Sequence, residues 1–176
     1  MSRADLLERY RALPMPTTTD ESWRFTDLAG FDPDSFAQNG HVQVSDTGTM
    51  LDIDVAGLAT VGAGVEIERA PEGIRFELLD ESHPQLGQLV GADEKFAAQN
   101  AASWEHGLLV HVPKGVVLEQ PLYVRVANPP DGGVLFWRLL VIAEPESRFS
   151  LIEELASPDP ELAGYSNAVV ELFVGQ

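Results

Sequence analysis

The chain has 176 residues, no cysteine, and a formal net charge of −17 from 28 acidic and 11 basic residues. Without cysteine it has no disulfide, thiolate metal ligand or cysteine nucleophile. A phosphate-backbone binder needs a basic patch, so this balance argues against nucleic acid as a partner. The hydrophobic share of 44% is ordinary for a globular protein with a real core. Lys95 and Lys114 are the lysines, and so acidic a surface suits high salt or follows from genome composition. Met1-Ser2-Arg3-Ala4-Asp5 leads straight into a charged pattern, with no apolar signal segment. The longest apolar stretch, Gly132 to Ala143, is broken by Arg138 and too short to span a bilayer. A cytoplasmic protein with no membrane segment is expected.

In chain order, Leu6, Leu7, Tyr10 and Leu13 recur at helical spacing, which predicts a helix over 4–13, stopped by Pro14 and Pro16. Ser22 to Leu28 is a compact aromatic cluster. Residues 30–48, rich in Asp, Ser, Asn and Gly, read as loop. Short strands are predicted at Val65–Arg69 and Ile74–Leu79 around a Pro71/Gly73 turn. His83 to Glu105 reads as helix, with Gly91 and Asp93 marking a kink or a division into two. After Gly107 the texture becomes β-rich. Runs at Leu108–Val112, Leu122–Val126, Val134–Ala143, Phe149–Leu155 and Ala168–Val174 are separated by Pro/Gly/Asp turns. This pattern fits a sandwich, a barrel or a β-helix and does not choose among them. The last strand carries no cap, proline or charge cluster at its end, which suggests a fragment of a longer protein.

His106 and His111 are five apart, an odd separation that sends them to opposite faces of one strand, and no third ligand completes a metal site. His41 and His83 stand alone in polar or turn-like sequence. Glu153 and Glu154 are adjacent and cannot act as one carboxylate pair. Ser22, Ser103 and Ser150 lack the Gly-x-Ser-x-Gly elbow, and Gly62-Ala63-Gly64 is not followed by the lysine of a phosphate loop. Trp23, Phe25 and Leu28 read first as a plug holding the helical region to the β unit. A partner-binding face is the alternative.

Two stretches carry a family resemblance. Leu13-Pro14-Met15-Pro16 followed by Glu21-Ser22-Trp23-Arg24-Phe25-Thr26-Asp27-Leu28 resembles the amino-terminal segment of the SufB/SufD family of iron–sulfur cluster assembly proteins, on the SufD side. Lys95-Phe96-Ala97-Ala98-Gln99-Asn100-Ala101-Ala102, then Gly107-Leu108-Leu109-Val110-His111-Val112-Pro113-Lys114-Gly115-Val116-Val117-Leu118-Glu119-Gln120-Pro121-Leu122, resembles that family's helix and first β-helix strands. Arg138 to Ile142, Leu151 to Glu154 and Tyr165 to Glu171 continue the same order of features.

The resemblance implies an α+β fold: an amino-terminal, mainly helical region with a few short strands over 1–106, then the first coils of a right-handed parallel β-helix over 107–176, cut short. It implies a non-catalytic scaffold, not an enzyme, within the SUF complex. The partners would be a SufB-like protein and the SufC-like ATPase. The family's sulfur-, iron- and cluster-handling positions lie in the later β-helix and beyond. No catalytic, cofactor-binding or metal residue is therefore assigned here, and no cofactor is expected in this chain. A β-helix carbohydrate enzyme and a small cupin-like barrel are the alternatives. The first needs clustered Asp with basic residues, the second convergent histidines.

Overall fold

The computed structural model describes residues 1–37, 50–157 and 159–175. Helix α1 (Arg3–Ala12) begins where Ser2 accepts from the Asp5 backbone N–H while the Asp5 carboxylate accepts from the Ser2 N–H, a reciprocal capping box. It ends at Leu13, held extended ahead of Pro14, a position the following proline ring denies to helix. A one-turn 3₁₀ segment, Glu21–Trp23, carries the predicted aromatic cluster.

Strands β1 (Gly57–Val61), β2 (Val65–Arg69) and β3 (Arg75–Leu78) follow. Helix α2 (Lys95–Ser103) then precedes β4 (His106–Val112), β5 (Leu122–Ala127), β6 (Val134–Ala143), β7 (Leu151–Ala156) and β8 (Tyr165–Val174). The predicted strands at 65–69 and 134–143 form with those bounds. Strand β1 has no counterpart among the runs that the sequence predicts.

The eight strands form two four-stranded mixed sheets, ordered β2-β1-β5-β7 and β3-β4-β6-β8. From β4 onward, successive strands alternate between the sheets. Within each sheet the later strands pair in parallel: β1 with β5, β5 with β7, β4 with β6, and β6 with β8. The outermost strands β2 and β3 pair antiparallel.

This arrangement corrects the expected fold. A mainly helical amino-terminal part followed by parallel β-helix coils does not describe it. Two helices of ten and nine residues occur among the described residues, and the early strands spend their backbone hydrogen bonds on the sheets. Both sheets draw strands from either side of residue 107. The result is a mixed-sheet α/β arrangement.

The predicted helix over 83–105 is also corrected to its second half, because residues 83–94 form a string of turns. Gly87 adopts φ +74°, a conformation that breaks a right-handed helix. The predicted loop at 30–48 falls largely outside the described residues; its described part contains the 3₁₀ turn Pro33–Ser35.

The core lies between the sheets. Val61, Leu108, Val110, Leu122, Val124, Trp137 and Leu139 are all essentially buried there. A second apolar cluster, with Leu79, Trp104, Leu109, Leu140 and Ile142, fills the outer face of the second sheet. No described helix is long and apolar enough to cross a membrane.

The Pro113-Lys114-Gly115 segment forms a turn between β4 and β5. The Val116 N–H donates to the Pro113 carbonyl, so Gly115 occupies the third turn position and supplies φ +72°.

Candidate functional site

The chemistry-bearing side chains that the sequence singled out are dispersed. His106 lies on the inner-facing set of β4 with Leu108 and Val110, while His111 shares the outer face with Leu109. His111 meets one carboxylate: its Nε2 lies 2.7 Å from Glu144 Oε1, and the other Glu144 oxygen accepts from the Lys114 N–H at 2.9 Å. These two contacts, His111 first, hold the Glu144 carboxyl below its ordinary range. His83 is half-buried, and burial, then the charges of Arg75 and His111, push its imidazole down. His41 lies outside the described residues. Among the described residues no three of His, Asp and Glu come together in a metal-holding group.

Glu153 and Glu154 point to opposite faces of β7. Glu154 is buried and accepts from the Tyr123 hydroxyl at 2.5 Å and the Met50 N–H at 3.1 Å. Glu153, in register with Val124, keeps much of its surface exposed, yet its apolar surroundings push its carboxyl up.

A polar network that the sequence did not announce runs through the outer face of the second sheet. Glu171 of β8 is 2% exposed and Arg138 of β6 is 4% exposed, with Arg138 Nη1 3.6 Å from Glu171 Oε2. The Glu171 carboxylate also accepts from the backbone N–H groups of Gly87, Leu89 and Val90 at 2.7, 2.8 and 3.2 Å. Arg138 donates from Nε to Asn100 Oδ1 and stands over the Trp104 ring. Asn100, fully buried on α2, donates to the carbonyls of Trp137 and Asn167.

The network extends outward through Asn167, Gln99, Tyr165 and Tyr10 to Asp34. Burial pushes the Tyr165 hydroxyl up to about 12 and raises Tyr10 further, Asp34 adding to the effect. Every group has a partner, so the network locks α2 and the 83–94 segment onto the sheet.

Trp23 is half-buried, its ring 5.2 Å from that of Phe96 on α2. Phe31 continues the contact to Phe96 and to Tyr165 of β8, at 6.3 and 5.3 Å. The cluster therefore plugs the amino-terminal segment against α2 and the second sheet. Phe25 takes no part in it: it is 88% exposed, with the Arg24 guanidinium over its ring.

No family model matches the chain. Curated relatives do. An iron–sulfur cluster assembly SufBD family protein of Staphylococcus epidermidis is 38% identical over 85 residues, 47% of this chain and 18% of that protein. The iron–sulfur cluster assembly protein SufB of Bacillus subtilis is 38% identical over 84 residues, with the same coverage. A SufBD family protein of Staphylococcus aureus strain MRSA252 matches equally, 38% over 85 residues. Over that stretch the chain is similar to SufBD proteins. The match spans under a fifth of the length of these relatives and about half of the chain. SufBD kinship agrees with the resemblance carried by residues 13–28 and 95–122. Among the described residues, none of the contacts above brings together a nucleophile, a base and an oxyanion site.

Proposed function

We propose that this SufBD relative is a non-catalytic scaffold segment in iron–sulfur cluster assembly, on the SufD side of the family, working with SufB-like and SufC-like proteins. The observation that carries the proposal is the 38% identity to proteins named for iron–sulfur cluster assembly. The Trp23-Arg24-Phe25-Thr26 segment supports the SufD side. The residues present favour scaffolding over cluster holding. The chain has no cysteine, and its described histidines are dispersed over separate faces and turns. In this role the interlocked sheets supply a rigid surface, and any cluster is cargo held by groups elsewhere in the complex.

The test is co-expression of the chain with the SufB and SufC proteins of the same source, followed by tag purification and size-exclusion chromatography. A stable complex retaining both partners is expected, together with no stoichiometric iron on the chain alone after anaerobic reconstitution. Failure to retain either partner overturns the assembly role. Iron bound by the isolated chain and lost in His111→Ala overturns the non-ligating assignment.

A further inference from the structure

The tilted Trp23–Phe96 ring pair has a cleft on each side. The first, about 320 Å³, runs between the Pro14–Met15–Pro16 segment and the start of α2, with Trp23 and Phe96 as its apolar surface. The second, about 340 Å³, is lined by Leu28, Phe31, Tyr165 and Ala168 and shares the same two rings. Two adjoining concavities around one aromatic pair fit an extended chain segment that places one side chain in each.

The charges of the first cleft select the occupant. Asp93 is paired with Arg9, and Glu21 with Arg24. Lys95 turns its ammonium away, donating to the carbonyls of Tyr10 and Leu13 and standing over the Tyr10 ring. Asp20 and Glu94 remain. Among the described residues neither meets a cation within 4 Å. Among the described residues the Asp20 carboxylate accepts from the Thr17 N–H and hydroxyl, and Glu94, although it precedes α2, gives no side-chain cap to it. The aromatic face of Trp23 beside two carboxylates without a cation is complementary to an Arg or Lys side chain. The second cleft presents rings and aliphatic groups, which suit an apolar side chain. The −17 net charge draws basic segments in from a distance.

We infer that this face docks an extended segment of a partner protein carrying an Arg or Lys next to an apolar residue, the cation over Trp23 between Asp20 and Glu94 and the apolar side chain against Leu28 and Phe31. The inference stands independently of the scaffold role.

The test uses the full chain and short blocked peptides. Trp104 and Trp137 are buried, so a change of tryptophan fluorescence on adding solute reports Trp23. Acetyl-Arg-Leu-amide is expected to bind saturably with Kd in roughly the millimolar range. It should shift backbone amide resonances of residues 20–23, 94–96 and 166–168. The double variant Asp20→Asn/Glu94→Gln, at exposed positions, should fold normally and bind about five-fold more weakly. Equal binding of acetyl-Glu-Leu-amide, unchanged binding by the double variant, or no saturable shift overturns the inference. Tetramethylammonium binding as tightly as the peptide also overturns it, because the site would then read a lone cation and not a segment.

Discussion

Glu171 carries more of the molecule than its place in an apolar strand suggests. Its carboxylate, itself buried, faces the buried Arg138 and three backbone N–H groups of residues 87–90. Removing one charge of a buried pair leaves the other without compensation. Glu171→Gln is therefore expected to destabilise by about 3–5 kcal/mol, read as a lower urea midpoint at unchanged slope. Replacing Arg138 and Glu171 together by apolar residues should restore only part of that stability, since the N–H groups of 87–90 lose their carboxylate acceptor.

Glu146 works in the opposite direction. It holds φ +66° in the turn closed by the Ser147 N–H on the Glu144 carbonyl, a conformation that costs a residue with a Cβ. Glu146→Gly should stabilise by about 0.5–1 kcal/mol in thermal unfolding, at the expense of the exposed Lys114–Glu146 contact.

Among the elements, α1 and the turn after β4 respond to pH. In the α1 capping box the Ser2 N–H, then its hydroxyl, hold the Asp5 carboxyl below its ordinary 3.8. Glu144 is held below its ordinary 4.5 by His111 and the Lys114 N–H. A carboxyl depressed in the folded state stabilises that state above the unfolded value. The contribution is lost as pH falls through the folded value. Stability should therefore decline below about pH 4.5. The site-resolved check is a carboxyl-carbon NMR titration of His111→Gln, in which Glu144 should titrate closer to its ordinary value. An unmoved Glu144 would show that the imidazole is not what holds it. Ser2→Ala removes the cap and should cost about 1 kcal/mol.

At the scale of the whole molecule, the sheets are unevenly closed. β7 and β8 are edge strands, and between them Phe149, Leu151, Leu172 and Val174 line a cleft of about 600 Å³. Val170, Leu172 and Val174 continue the inner face of Leu139 and Val141 yet lie open, Leu172 at 52%. An apolar edge with free backbone groups favours association. The isolated chain should self-associate with rising concentration in sedimentation velocity. Leu172→Lys should reduce that association while changing stability by no more than about 0.5 kcal/mol. Association unaffected by the substitution would locate the contact elsewhere.

Most strands and the SufBD resemblance are legible in the sequence. The run Val134–Ala143 is a strand whatever surrounds it, because ten mostly β-branched, aliphatic and aromatic residues bounded by Gly133 and Glu144 have no better use. Residues 13–28 and 95–122 carry the SufBD resemblance as local motifs. The remaining features depend on partners distant in the chain. Gly57–Val61 has weak strand character and becomes one because β2 and β5 pair with it on both sides. Residues 83–90 have helical spacing, but Gly87 turns and the Glu171 carboxylate takes the N–H groups a helix would have used. The Arg138–Glu171 pair exists because parallel pairing sets Leu140 opposite Glu171, and no spacing along the chain encodes that register. Periodicity records which face of an element is apolar; which sheet it joins is settled by packing between segments tens of residues apart.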